Sequence, residues 1–208
     1  MTLLCFAVKQ EAKAFQRLTS GQPNLEVLLT GIGRRSAEKA IRAALSTNKP
    51  DLIISSGFAG GLRPDLTLGT IVFSSDKGCS IEPALLAAGA LRVRFHCAER
   101  IATTAEEKRR LRQQTNADAV EMESDVIRSV CREHKISSAT VRVILDTADE
   151  DLPLDFNQLL DADQEMDGRK LAWSLAKSPA KVGALLRLQK QSKVAAGRLA
   201  QALVSTLD

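Results

Sequence analysis

Short apolar runs alternate with amphipathic stretches along the first three quarters of the chain. The apolar runs are nearly continuous, which is typical of strands that helices cover on both faces. They predict strands at Leu3–Val8, Leu25–Thr30, Leu52–Ser55, Thr70–Ser74, Leu91–Cys97 and Val141–Leu145. Apolar residues at helical spacing predict a helix at 9–18, and further helices are predicted at 37–46 and, with a strongly charged sequence, at 105–114. This order predicts an α/β fold, a three-layer α/β/α sandwich with a mixed, largely parallel central sheet.

The last part of the chain has a different pattern. From Met166 to the end it predicts two or three helices, broken near Ser178-Pro179 and near Gly197. A chain of 208 residues with 44% apolar side chains is long enough for one domain with a sizeable core. We therefore predict a single domain over residues 1–208, of which 168–208 form a basic helical segment.

Charge is distributed unevenly along the chain. The net charge is +4, yet Gly168–Leu207 carries eight Lys and Arg residues and no Asp or Glu. Such a segment fits an anionic lipid surface, where each basic residue contributes roughly 1 kcal/mol. The alternative is a set of helices that cap the sheet and expose their charges to water. Aromatic residues make up only 3%, so the stacking platforms of single-strand nucleic-acid binders are missing and no nucleic-acid partner is expected.

Location and metal chemistry are constrained by what the sequence lacks. No apolar run reaches the eighteen or so residues of a membrane span, and Met1 leads into a strand without a basic leader region. We therefore predict a cytoplasmic protein, with peripheral membrane contact as an option. The four cysteines form no C-x-x-C pair and the two histidines lie near none of them, so reduced thiols and no metal site are expected.

Carboxylates follow two of the apolar runs. Ala119 and Val120 lead into Glu121-Met122-Glu123, and Val141–Leu145 leads into Asp146. In open α/β sheets ligands bind at the carboxyl ends of strands, so these acids predict one common site. The alternative is that Glu121 and Glu123 begin a helix and only complement its dipole.

Two glycine-rich segments add to this site. Gly31-Ile32-Gly33 precedes a helix and is followed by Arg34 and Arg35, an arrangement that lets backbone N–H groups approach an anion or a ribose, or that forms a plain tight turn. The segment Gly57–Leu62 holds three glycines and Ala59. Glycine costs the most backbone entropy on folding, which favours a close approach to a ligand there.

Three motifs now point to a family. Ser56–Leu62, Val120–Ser124 and Arg142–Asp149 have the order and spacing of the nucleoside phosphorylase and nucleosidase superfamily, and residues 3–156 resemble it over most of their length. Length and basic tail are most similar to the hopanoid-associated phosphorylases, with methylthioadenosine/adenosylhomocysteine nucleosidases and futalosine hydrolases as cousins. The resemblance implies a phosphorylase/hydrolase-like fold and an enzyme that cleaves the N-glycosidic bond of a purine nucleoside, with adenine as the expected base.

The resemblance also implies residue roles. Asp146 matches the general acid at the purine ring, Glu123 the group that holds the ribose hydroxyls and stabilises an oxocarbenium-like transition state, and Glu11 the residue that positions water. Met122 would pack under the sugar. The other residues expected to bind substrate are Glu121, Phe58, Gly57, Ala59, Gly33 and Arg34. No metal or cofactor is implied, and a homo-oligomer is expected.

At the site of the nucleophile, this chain departs from the family pattern. Phosphorolytic members bind phosphate through an Arg just before the glycine-rich segment and a hydroxyl within it, where this chain has Ser55 and Phe58 or Ala59. This favours hydrolysis with Glu11. The alternatives are phosphorolysis, with phosphate as co-substrate on Arg34 or Arg35, and a protein that binds nucleosides without turnover.

Phe58 bears on the choice of substrate. It stands in place of a small polar residue of the family, which indicates an apolar pocket and a nucleoside with a greasy 5′ substituent, or a side chain that only fills the core. The resemblance to the hopanoid-associated relatives implies a lipid-linked nucleoside as a further option, and peripheral membrane contact of the basic tail would suit such a substrate.

Overall fold

The computed structural model describes residues 1–159 and 181–207, together with Lys170 and Trp173. Within these residues the strands are β1 (Thr2–Phe6), β2 (Leu25–Leu29), β3 (Leu52–Gly61), β4 (Ile71–Ser75), β5 (Leu91–Arg92), β6 (Phe95–Cys97), β7 (Ala119–Glu121) and β8 (Ser137–Asp146). The helices are α1 (Lys9–Leu18), α2 (Arg34–Thr47), α3 (Glu82–Ala87), α4 (Ala105–Thr115), α5 (Ser124–Glu133) and α6 (Lys181–Leu207), with a 3₁₀ turn at Phe156–Leu159.

All of these strands belong to one sheet. The main path is β2-β1-β3-β8-β4-β5, and β7 joins β3 to β6 beside it. The pairs β1–β2, β1–β3, β3–β8, β4–β5 and β6–β7 are parallel, whereas β4–β8 and β3–β7 are antiparallel. The predicted mixed, largely parallel sheet is confirmed.

Helices cover both faces of this sheet. On one face Phe6 of β1 packs with Phe15 of α1 and Leu199 of α6, and on the other Leu3 of β1 packs with Ile41 of α2. Alternate residues of a strand point to opposite faces, so both sets of β1 side chains are buried. This double burial explains the nearly continuous apolar runs of the sequence.

The glycine-rich segment is a strand rather than a loop. The predicted strand 52–55 continues to Gly61, and Gly57 pairs with Arg142 of β8 while Gly60 pairs with Asp146 after a register shift. The segment pairs with β8 from Gly57 to Gly60, and Gly60 and Gly61 pair with β7 on the other side. Its glycines therefore place the backbone close to side chains of the site, as described below.

Other boundaries also differ from the prediction. The strand predicted at Leu91–Cys97 is divided into β5 and β6, and α3 lies where no helix was predicted. Gly197 does not break α6, because neighbours on both sides of it, such as Ala196 and Leu199, are buried against the core and offset the roughly 1 kcal/mol cost of a helical glycine. The predicted break near Ser178-Pro179 lies outside the described residues.

The two halves of α6 have different surroundings. Ala195, Leu199 and Leu203 are buried in the core, whereas Val182 and Leu186 are exposed together with Arg187 and Lys190. In the described part of the chain, no helix combines the length and hydropathy that a membrane span needs.

Candidate active site

A buried arginine organises the carboxylates predicted to form the site. Arg142 lies in the middle of β8, only 2% exposed. Its Nη2 atom donates to Glu121 Oε2 at 2.8 Å and to Ser55 Oγ at 3.0 Å, and it lies 3.5 Å from Glu123 Oε2. Arg142 belongs to the third sequence motif, Arg142–Asp149, but no role was predicted for it. The available signal was an arginine inside an apolar strand, where a charge requires a buried partner.

Glu121 is held entirely by groups of the protein. Besides the Arg142 contact, its oxygens accept from the N–H groups of Glu123 at 3.0 Å and Ser124 at 2.8 Å and from the Ser124 hydroxyl at 2.7 Å. Although burial opposes ionisation, Arg142 and these hydrogen bonds lower the pKa of Glu121 below its usual range. Glu121 is thus a fixed negative charge that connects β7, β8 and the start of α5.

Glu123 has fewer partners. It directly precedes α5, yet its side chain reaches the start of α2, where Oε1 accepts from the Gly33 N–H at 2.9 Å. Its carboxylate therefore complements the dipole of α2 rather than that of its own helix. Burial raises the pKa of Glu123 to about 7, with Glu121 and Glu11 adding to the effect and Arg142 and the Gly33 N–H opposing it. Such a carboxylate gains from hydroxyl donors that a ligand brings.

Glu11 lies in the first turn of α1 and faces β3. Oε1 accepts from the Phe58 N–H at 2.9 Å, and Oε2 accepts from the N–H groups of Ala7 at 3.1 Å and Val8 at 3.3 Å. Burial raises the pKa of Glu11, and Arg142 and the three N–H groups partly oppose this. The three donors fix the orientation of the carboxylate at the middle of the sheet.

Asp146 ends β8 beside Gly60. Its Oδ2 atom is enclosed and forms an ion pair with Lys108 Nζ, while 13% of the side chain is exposed. Burial raises the pKa of Asp146 and Lys108 opposes this rise. Lys108 was not predicted, because nothing in the strongly charged sequence of α4 distinguishes a buried lysine from an exposed one.

The structure brings most of the predicted site residues together. Glu11, Glu121 and Glu123 surround Arg142, and their charges act on one another. Asp146 pairs with Gly60, three residues along β3 from Gly57, a separation of about 10 Å at the usual rise per residue. The carboxyl groups therefore form one site with two ends. Three of them cluster around Arg142 at one end, and Asp146 stands alone at the other.

The remaining predicted residues have different positions. Met122 is buried between Glu121 and Glu123, and Ala59 is buried in a separate apolar cluster. The Phe58 side chain packs against the core formed with α1 and α6, so its contact with the site is through its backbone N–H. Arg34 is exposed and lies 3.9 Å from Asp125.

Gly57 provides the first testable prediction. Its φ is +145°, and a Cβ there would lie 2.6 Å from Glu11 Oε1. We expect Gly57→Ala to destabilise the protein by about 1–3 kcal/mol through backbone strain and to displace Glu11. Chemical denaturation measures the first effect and the rate of catalysis the second.

Gly21→Ala is the matched control for that prediction. Gly21 also has a positive φ, +85°, but nothing lies within 4 Å of a Cβ built on it. This variant should lose stability through strain alone and keep full activity. Equal activity in both variants would contradict the close packing of Gly57 against Glu11.

Comparison with solved structures identifies the architecture. The native futalosine hydrolase of Helicobacter pylori strain 26695 superposes with a TM-score of 0.73 at 15% identity, over 100% of this chain and 97% of that chain. A 5′-methylthioadenosine/S-adenosylhomocysteine nucleosidase from the same organism gives 0.72 at 15%, over 100% and 97%. The 5′-methylthioadenosine nucleosidase of Arabidopsis thaliana gives 0.69 at 13%, over 99% and 93%. At these identities the likeness shows a shared fold, that of nucleosidases.

The family is shown by the sequence itself. The family model described as the phosphorylase superfamily matches residues 9–80 and 90–177. The chain belongs to the phosphorylase superfamily, and it is an enzyme of the nucleosidase and nucleoside phosphorylase class.

Proposed function

We propose that this enzyme hydrolyses the N-glycosidic bond of a purine nucleoside, with adenine as the base. The proposal rests on the arrangement of the carboxyl groups in the site. Glu123 and Glu11 lie with Arg142 at one end of the site, and Asp146 lies at the other end. Cleavage of this bond develops positive charge on the ribose and negative charge on the departing base. An enzyme therefore needs an anion near the sugar and a proton donor near the base.

Each end suits one of these tasks. At the sugar, Glu123 in its ionised form accepts hydrogen bonds from the ribose hydroxyls and stabilises the cation, while Arg142 and the Gly33 N–H hold it in place. At the base, Asp146 in its protonated form donates to a purine ring nitrogen, and burial favours that form. The two carboxyl groups thus work in opposite charge states.

Two contacts and one buried hydroxyl group support water rather than phosphate as the nucleophile. The Gly33 N–H, which a phosphate would use at the start of α2, is already bonded to Glu123. The Ser55 hydroxyl accepts from Arg142. The Ser56 hydroxyl, next to Gly57 in the chain, is buried without a hydrogen-bond partner among the described residues, which is where native proteins usually hold a water. Glu11, in its ionised form, would orient the attacking water.

The identity of the nucleoside, the contact with a membrane and the oligomeric state are further parts of the proposal. One Helicobacter pylori nucleosidase of this fold is known with 5′-methylthioadenosine in its active site, which supports an adenine nucleoside with a 5′ substituent here. The relationship to hopanoid-associated phosphorylases, a lipid-linked substrate, peripheral membrane contact and a homo-oligomer stay predictions. The exposed first half of α6, with Val182, Leu186, Arg187 and Lys190, is the surface on which a membrane contact would act.

Isotope labelling tests whether water is the nucleophile, and a Glu11 variant tests whether Glu11 activates it. In H₂¹⁸O with phosphate present, we expect the wild-type enzyme to release free ribose, or its 5′-modified form, with ¹⁸O at C1′, as mass spectrometry measures. We expect Glu11→Gln to lower the rate by about 10²-fold or more, because the water loses its base. Glu99→Gln, at an exposed glutamate without a described contact, should have the wild-type rate. Formation of a sugar 1-phosphate would instead show phosphorolysis and point to Arg34 or Arg35.

A further inference from the structure

One charged side chain of α4 is completely buried. The helix is strongly charged, and Arg109 and Arg110 are exposed to water, but Lys108 has no exposed area. Lysine is almost never fully buried unless it is paired. Lys108 Nζ donates to the backbone carbonyls of Thr147 and Glu150, both at 2.8 Å, and forms the ion pair with Asp146 Oδ2.

Protein groups surround the ammonium group. Two of its three N–H donors go to backbone carbonyls, and the Asp146 carboxylate is its ion-pair partner. The charge of Lys108 therefore acts on Asp146. The two carbonyls belong to the segment that follows β8, so the same group fixes Asp146 and the first turn after the strand.

Few other charges face Asp146. From β3 and β7 its described neighbours are Gly60 and Val120, which carry none. From the segment after β8, Glu150 contributes a negative charge, but its carboxylate is exposed and accepts from the Thr147 N–H and hydroxyl, both at 3.0 Å. Lys108 is thus the main positive charge on this acid.

We propose that Lys108 is a positioning residue for Asp146: it holds Oδ2 in place, leaves the rest of the carboxyl group to the base, and stabilises the carboxylate that forms once the proton has left. This inference rests on the proposed function, in which Asp146 is the general acid. Burial alone would make Asp146 too weak an acid to give up its proton, and a fixed ammonium offsets that effect.

Bond cleavage at C1′ requires one proton transfer to the base and one from the attacking water. The C1′–N bond breaks and its electron pair stays with the base. A ring nitrogen of the base takes the proton of Asp146, which becomes a carboxylate facing the Lys108 ammonium. Water adds to C1′ and gives its proton to Glu11. Glu11 then loses this proton to solvent and Asp146 regains one, so the sum is nucleoside plus water to sugar plus base.

Lys108→Met tests the proposal through activity. We expect kcat to fall roughly 10²-fold, the loss typical of a misplaced catalytic group. Asp146 acts protonated, so activity falls as pH rises through its pKa. Removing the ammonium favours the protonated form, and the alkaline limb of the pH–rate profile should therefore move to higher pH. A merely structural role would lower stability without moving this limb.

Two further variants accompany Lys108→Met. Arg109→Met removes one positive charge from the exposed side of the same helix and should leave the wild-type rate and profile. Lys108→Gln keeps amide donors for the Thr147 and Glu150 carbonyls but has no charge, so it should move the limb in the same direction as Lys108→Met. If Lys108→Met does not fold, the alkaline limb of Lys108→Gln alone tests the role of Lys108.

A carboxyl titration provides a readout that does not depend on turnover. In protein labelled with ¹³C at the Asp carboxyl carbons, the Asp146 signal is assigned by its loss in Asp146→Asn. We expect it to titrate at higher pH in the Lys108 variants than in the wild type and Arg109→Met. If the Asp146 signal titrated at the same pH in all of these proteins, the role of Lys108 would be overturned. A shift of this titration without a shift of the alkaline limb of the pH–rate profile would also overturn it. Absence of base release by the wild type would overturn the proposed function instead, and the titration would still decide whether Lys108 acts on Asp146.

Discussion

Replacing Asp146 by Asn is expected to lower kcat for base release by about 10²–10⁴-fold, the usual contribution of a general acid. Asn is nearly isosteric but has no acidic proton to give to the departing base. Because the buried Asp146 carboxyl group faces the Lys108 ammonium, the substitution also leaves that charge without its partner. Substrate binding should suffer less than turnover, since the transition state rather than the ground state needs the proton.

Asp149→Asn is the matched control for this experiment. Asp149 lies three residues further along and is exposed, without a described hydrogen bond or ion pair. Its replacement should leave kcat unchanged. If Asp146→Asn released base at the wild-type rate, the general-acid role would be wrong and the proton would have to come from solvent.

Replacing Glu123 by Gln is expected to lower kcat by about 10²–10³-fold, the range for one preorganised electrostatic group. Glu123 must be ionised to stabilise the ribose cation. With its pKa raised to about 7, wild-type kcat/KM should fall as pH decreases through that value. A pH–rate profile measures this acidic limb, which should be missing from the residual activity of the variant.

Replacing Glu123 by Gln should raise the stability of the protein at alkaline pH, although it lowers activity. A carboxyl group whose pKa is higher in the folded than in the unfolded state binds more protons when folded, so it makes stability fall as pH rises from about 4.5 to about 7. Glu123→Gln removes this loss, and the variant should resist denaturant better than the wild type at pH 8. An inactive variant that is also less stable at pH 8 would contradict the proposed state of Glu123.

Much of the fold could be predicted from the sequence because burial on both faces leaves a local trace. The apolar run of β1 and the helical spacing of Phe15 in α1 both reflect contacts that the sheet later provides. The glycines of β3, by contrast, concealed the continuation of that strand beyond Ser55. Glycine has a low strand propensity, and the pairing with β8 that extends β3 to Gly61 connects residues more than eighty positions apart.

The site was predicted in part for the same reason. Glu11 and Glu123 follow strands and Asp146 ends one, each within a recognisable motif, whereas the residues that pair with these acids come from distant parts of the chain. Lys108 meets Asp146 across 38 residues of chain, and Arg142 meets Glu121 across 21. Such pairings depend on how α4 and β7 pack, and no spacing within either segment encodes them.

Release of free purine base measures the central claim most directly. Purified wild-type enzyme would be incubated with adenosine, 5′-methylthioadenosine and further 5′-modified purine nucleosides in buffer without phosphate, and free base would be separated by chromatography. The proposed function predicts base release from at least one adenine nucleoside, at a rate that added phosphate does not increase. Release that depends strictly on phosphate would contradict hydrolysis, and no release from any nucleoside would contradict the assignment of Asp146, Glu123 and Glu11.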